Sequence, residues 1–227
     1  MKALAIDCAI SRIAISAKSD DKSVKLVYDV GIKQSEKLLP AVDFVMGELG
    51  LTPSQLDYTC LSLGPGSFTG LRLGLSTLKA ITLACGIPVY GIPSLEAYAY
   101  PFREAEGVIS VIEAKEDEYF FQFFGRGKAL TEVDCKPVGE IASLLSCERK
   151  TLAAGPAAGV FVEGVRERSP LVLLEGCLVE SDCAESLFAL AERQIAAGVK
   201  PLEDYDGPLY ARKSEAELVL EAKGAKA

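Results

Sequence analysis

Leu61-Ser62-Leu63-Gly64-Pro65-Gly66-Ser67-Phe68-Thr69-Gly70-Leu71-Arg72-Leu73-Gly74 is the stretch where the chain changes period. An apolar run of strand character breaks into a glycine loop and re-enters as a helix. Glycine is about 0.5–1 kcal/mol less favourable than alanine in ordered structure, so glycines at 64, 66, 70 and 74 imply positive φ or close backbone approach. The helix reads from about 68 to 85 and stops at Gly86, with Pro88 just beyond. Arg72, Ser76 and Lys79 form one narrow polar edge, while Leu71, Leu73, Leu75, Leu78, Ile81 and Leu83 fill most of the remaining surface. A helix apolar over most of its circumference is covered on more than one side. Its own sheet supplies one cover; a partner chain is a candidate for the other.

Working outward, residues 3–7, 11–17 and 24–30 read as a meander of three strands. Between 34 and 49 the period becomes helical, with Leu38, Val42, Val45 and Leu49 in a stripe that Leu39 and Met46 widen. Pro40 leaves the start of that helix open. Strands follow at 58–63 and 89–92, and Ser94 caps a short helix near Tyr98. A polar stretch at 103–107 divides the chain into an N-terminal lobe, 1–103, and a C-terminal lobe, 104–227. The second lobe opens with strands at 107–113, 118–125 and 129–134 and carries a helix at 183–197. Pro208 to Ser214 reads as a strand, and the segment from about 205 to 227 is expected to pack back on the first lobe. A meander followed by a helix occurs in both halves, which hints at two related lobes.

Composition removes several function classes. The chain has 227 residues and a net charge of −8, all of it carried by the portion beyond residue 102, where twenty-three acidic side chains face fifteen basic ones. No run of basic residues provides a nucleic-acid footprint, and an acidic half is expected to repel RNA. With no histidine, Ser-His-Asp and Cys-His catalysis and histidine-ligated zinc are excluded. Seven cysteines without CxxC spacing read as reduced core thiols. Asp7 arrives too early for a signal-peptide core and no later apolar run is long enough to span a bilayer, so a cytoplasmic protein without membrane contact is expected.

Two candidate chemistries remain. The loop Gly64, Pro65, Gly66, Ser67, Phe68, Thr69, Gly70 leads into a helix N-terminus, where anions bind. Its spacing is GxGxxxG, however, one residue longer than the dinucleotide fingerprint; it lacks the Lys-Ser/Thr of a P-loop, and Pro65 has no amide to donate. A structural turn is the competing reading. Ser67 lacks both the GxSxG setting and a base. Asp7, ending the first strand, stands where an actin-like ATPase holds its metal and phosphate; the alternative is an aspartate that fixes a turn. The carboxylates between Glu113 and Glu118 suit a solvated hairpin turn, and no metal site is predicted.

Ala5-Ile6-Asp7, Gln34-Ser35-Glu36-Lys37-Leu38-Leu39-Pro40, the GPGSFTGLR segment through Arg72, and Pro208-Leu209-Tyr210-Ala211-Arg212 together resemble the TsaB (YeaZ) family. The resemblance covers the first hundred residues well and the second lobe mainly in length and the terminal motif. It implies a two-lobed actin/Hsp70-like (ASKHA) α/β fold, with a mixed sheet in each lobe flanked by helices. It also implies a non-catalytic subunit that pairs with a TsaD-like threonylcarbamoyltransferase and works with a TsaE-like ATPase. Their product would be N6-threonylcarbamoyladenosine at position 37 of ANN-decoding tRNAs. On that reading the chain is a homodimer when isolated, meets tRNA only through the complex, and needs no cofactor, ATP and magnesium entering only weakly or within the complex. The partner interface carried over from the family comprises Leu38, Leu39, Val42, Val45, Met46, Leu49, Leu71, Leu75 and Leu78; Asp7 would be a vestige of a nucleotide site. Family members often have histidine at the position of Gln34 and Asp-Thr-Ser in place of Asp7-Cys8-Ala9, departures that argue further against an independent active site. An ATP-binding phosphotransferase using Asp7 and the glycine loop is the rival. The M22 peptidase label once attached to such proteins finds no set of residues here that writes a mechanism.

Overall fold

The computed structural model describes residues 1–29, 31–176 and 183–211. Its first sheet is built from β1 (Lys2–Asp7), β2 (Arg12–Ser19), β3 (Lys22–Asp29), β4 (Tyr58–Gly64) and β5 (Val89–Pro93), in the order β3-β2-β1-β4-β5. β1 to β3 form the antiparallel meander, and β4 and β5 add in parallel, with Ala5 opposite Ser16 on one side and Cys60 on the other. The second sheet comprises β6 (Val108–Lys115), β7 (Glu118–Gly125), β8 (Lys128–Ala129), β9 (Asp134–Pro137), β10 (Thr151–Ala154) and β11 (Leu174–Gly176). Its order is β11-β10-β6-β7-β8, with β9 also on β7. An antiparallel hairpin, its extension, and two parallel strands therefore recur in both sheets, the repeat that the sequence only hinted at.

Side-chain alternation sorts the strands into layers. Leu4 and Ile6 of β1, with Leu61 and Leu63 of β4, face helices α1 (Gln34–Glu48) and α2 (Phe68–Cys85). Ala3, Ala5, Tyr58 and Cys60 face the opposite way, onto α3 (Ser94–Ala99) and α6 (Ala184–Ala196). That central core also takes in Val108, Ile112, Phe120 and Phe124 of the second sheet. Ile109, Val111, Tyr119 and Phe121 point outward to α4 (Val138–Leu144) and α5 (Ala158–Arg168).

Three sequence expectations need correcting. The helix near the end of the chain, assigned to the second lobe, packs through Leu187, Phe188, Leu190 and Ala191 on the first sheet, because the small residues Ala3 and Ala5 open that face to it. The return to the first sheet thus begins well before residue 205. The strand expected at 129–134 is split into β8 and β9, because the backbone amide of Phe123 bonds the Thr131 hydroxyl instead of a ladder carbonyl. Residues 208–211 are irregular and not a strand, and the remainder of that expected strand, from 212 to 214, lies outside the described residues. Pro40 sits inside α1 on its exposed side, where the carbonyl that loses its helical partner is open to solvent.

α6 is tied to the first sheet by a polar contact as well. Lys18 of β2 pairs with Glu192, which also accepts from the Tyr58 hydroxyl at 3.1 Å. Burial alone raises the Glu192 carboxyl, but the Lys18 hydrogen bond and charge, with the Tyr58 hydroxyl, more than reverse this and hold it below its ordinary 4.5. A depressed carboxylate contributes stability above its unfolded pKa and loses it as pH falls through the folded one. The urea midpoint of wild type should therefore exceed that of Glu192→Gln at neutral pH, and the gap should close on acidification below 4.5; a pH-independent gap would refute the role of the charge.

Candidate functional site

β4 ends at Gly64 with φ +122°, and α2 begins at Phe68 with Ser67 as its cap, the Ser67 hydroxyl accepting from the Gly70 amide at 3.2 Å. The glycines serve backbone packing. A Cβ at Gly64 would overlap the carbonyl oxygen of Leu209, one at Gly66 that of Ala9, and one at Gly70 that of Cys8. Other amides of the loop are taken internally: Ser67 donates to the Ala9 carbonyl at 2.7 Å and Gly64 to the Ser94 hydroxyl at 3.1 Å. These contacts match what a structural turn requires, while residues 65–68 also face the cleft between the sheets, and Gln34 braces the same β1–β2 connection through the Ile10 carbonyl.

Asp7 is 2% exposed and fully engaged. One carboxylate oxygen accepts from the Ser62 hydroxyl at 2.6 Å and the Ala9 amide at 3.0 Å; the other accepts from the Tyr98 hydroxyl at 2.6 Å and the Cys183 thiol at 3.2 Å. Burial, and then the Asp7 charge, push the Tyr98 phenol well above its ordinary range, so it stays a donor. Four donors on two oxygens engage all the lone pairs of the carboxylate within the protein. Between the sheets lies a cleft of about 1210 Å³, lined by Ala9 to Arg12, the glycine loop, Lys115, Phe120 and Tyr210, and Asp7 is absent from its wall. The strand-end carboxylate singled out for phosphotransfer faces inward, while Asp29 and Glu113 line the cleft.

The polar edge of α2 has a definite task. Lys79 donates to the carbonyls of Glu203, Asp204 and Asp206 at 2.9, 2.7 and 2.6 Å, and Arg72 donates through Nε to the Tyr210 hydroxyl at 2.8 Å. The Arg72 guanidinium lies over the Phe68 ring, 3.7 Å from its centroid, and the Phe68 and Tyr210 rings are 5.1 Å apart. Together with the Leu202 amide on Val89 and the Leu209 amide on Leu63, these contacts lay residues 202–210 as a strap across the first sheet's parallel strands.

Most of the residues carried over as an interface are internal. Leu38, Val42, Val45 and Met46 of α1 and Leu75 and Leu78 of α2 belong to the core against the first sheet, Leu71 is equally buried, and Leu49 is half-buried at its margin. A side chain already packed inside its own chain has no surface left for a partner. Of that set only Leu39 is exposed, at 63%; outside it, Leu83, which the sequence placed on the apolar surface of α2, is 88% exposed, and Phe44, which the sequence did not single out, is 51% exposed. Their signal was present, since Leu83 is apolar at a position off the buried stripe of α2.

The TsaD family (tRNA N6-adenosine threonylcarbamoyltransferase) matches residues 30–145, half of the chain. The chain belongs to this family, in its TsaB (YeaZ) group. It is 26% identical over 235 aligned positions to the Escherichia coli tRNA threonylcarbamoyladenosine biosynthesis protein TsaB, covering 98% of this chain and all of that one. With the Haemophilus influenzae protein of the same name it is 28% identical over 140 residues, 55% of this chain and 59% of that relative, so this alignment spans about three fifths of its length. In structure it is similar to a Pseudomonas aeruginosa protein described as resembling peptidase YeaZ, with a TM-score of 0.77 at 24% identity, over 93% of this chain and 99% of that one. The expected α/β class, with a mixed sheet in each half flanked by helices, agrees with this structural likeness and with the two repeated sheets.

Two substitutions test the site as described. Asp7→Ala strands four buried donors and should lower unfolding stability by about 3–5 kcal/mol in urea titration; a drop below about 1 kcal/mol would mean the network is dispensable. Gly70→Ala forces a methyl into the Cys8 carbonyl and should lose roughly 1–3 kcal/mol in the same measurement. An unchanged midpoint would return the glycines to the search for a ligand.

Proposed function

We propose that the chain is a non-catalytic subunit of the machinery that forms N6-threonylcarbamoyladenosine in tRNA, acting by holding a TsaD-like transferase in its working arrangement. The observation that carries this reading is the saturation of Asp7, the strand-end carboxylate singled out for metal and phosphate chemistry, whose two oxygens already accept four hydrogen bonds from the protein. The absence of histidine and the TsaB relatives support it. A TsaE-like ATPase acts in the same assembly, and the isolated chain pairs with itself through the surface the transferase uses.

That surface is the outer side of α1 and α2, revised from the sequence expectation to what is exposed. Leu39, Phe44 and Leu83 are its apolar anchors, and half-buried Leu73 and Ile81 can extend it. Interfaces of standard size bury roughly 1,600 Å² in total, with a few large apolar side chains dominating the energy. The strap occupies the Arg72–Lys79 edge of α2, so a partner approaches on the side facing away from it.

Leu83→Glu and Leu78→Glu separate surface from core. The first should leave the urea midpoint within about 0.5 kcal/mol of wild type and weaken copurification with the TsaD-like subunit tenfold or more. The second buries an unpaired charge and should unfold the chain. If Leu83→Glu binds its partner and supports tRNA modification normally in a reconstituted assay, this face is not the interface.

A further inference from the structure

The charged side chains are not spread evenly over the surface. Arg103, Arg126, Lys128 and Arg193 meet around an open groove of about 640 Å³, with Glu104 and Glu106 as its acidic lining. All four cations come from the acidic portion of the chain, and from three separate places: the connection after α3, the β7–β8 hairpin and α6. Their separation along the chain hid this cluster from any search for a basic run.

The hairpin presents its cation in an unusual way. Phe124 pairs with Ala129 and Gly125 with Lys128, so Arg126-Gly127 is a two-residue connection, with φ of +49° and +70°. The other non-glycine residues with positive φ among those described are Asp20 and Asp117, a residue type that turns favour. Arginine has no such preference, and its side chain here stands 77% exposed. Arg126 pairs with Glu106 at 2.8 Å, Arg193 with Glu96 at 3.0 Å and Arg103 with Glu104 at 3.7 Å, while among the described residues Lys128 pairs with no carboxylate.

Exposed pairs of this kind contribute little and are readily exchanged. A phosphate offers a guanidinium two parallel charge-assisted bonds, and its binding releases condensed counterions, a gain that a carboxylate does not bring. An acidic peptide would merely replace the glutamates with carboxylates of the same chemistry. We propose that this groove binds the sugar-phosphate backbone of RNA, contacting at least two phosphates through Arg126 and Lys128. The inference rests on the reading of the chain as a tRNA-modifying subunit, and it adds a direct RNA contact where the sequence predicted only an indirect one. Four cations make a small footprint on an acidic chain, so the contact works within the complex, alongside the partner subunit's own RNA surface.

The test is fluorescence anisotropy of labelled tRNA with the assembled complex of this chain and its TsaD-like partner, titrated over a range of salt. Arg126→Asn with Lys128→Gln removes both charges and keeps a residue that tolerates the left-handed backbone. Lys22→Gln with Arg149→Gln removes the same charge from exposed positions elsewhere. The groove variant should bind tRNA roughly five- to tenfold more weakly and its log–log salt slope should shrink by about 1.4–1.8, the share of two phosphates; the control should match wild type. Equal affinity and slope in a groove variant that still assembles overturns the inference and leaves the proposed function standing. Lost assembly, with tRNA affinity intact in the complex that does form, also overturns it, because the groove would then be a protein contact. A wild-type chain that neither assembles nor supports modification overturns the underlying reading, and this one with it.

Discussion

The structure depends on one carboxylate kept from water. Burying an ionised aspartate costs several kcal/mol unless hydrogen bonds replace its hydration, and Asp7 has four, from the β1–β2 turn, β4, α3 and the residue preceding α6. Because each donor sits on a different element, the charge is compensated only when all four are in place. The same geometry decides the chemistry. Here the lone pairs are filled by the protein, so the side chain serves first to join these elements.

α2 has three unlike surfaces, and separating them clarifies what the helix does. Its inner stripe of Leu75 and Leu78 is core, its Arg72–Lys79 edge grips the strap, and its outer side exposes Leu83. An ammonium has three protons to donate, and Lys79 places each on a strap carbonyl. A narrow charged line on an otherwise apolar helix therefore marked a covered edge and not an open one.

Much of the fold was legible in the sequence. The meander over β1–β3, both N-terminal helices and the strand–loop–helix unit all follow from period and punctuation, since each is a local pattern. The allocation of α6 was not, because a helix shows which face is apolar but not which sheet that face will meet. The same limit explains the interface set: Leu38, Val42 and Leu78 are apolar at the right spacing both for a partner and for their own sheet, and the burial that decides between them is a long-range property. Asp7 could be seen as special, but its donors Ser62, Tyr98 and Cys183 lie 55, 91 and 176 residues away, beyond any local reading.

The strap and α6 have a further consequence, for the order in which the chain becomes a protein on the ribosome. Domains generally fold as units from the N-terminus during synthesis. Here the first sheet cannot finish when its own strands emerge, because one of its faces awaits residues 184–196 and the ends of its parallel strands await residues 202–210. Until then Ala3, Ala5 and Tyr58 lack their cover, and the Asp7 carboxylate lacks the Cys183 thiol. The N-terminal half of the sequence thus depends for part of its cover and its hydrogen bonding on residues made last, so completing the first sheet requires nearly the whole chain.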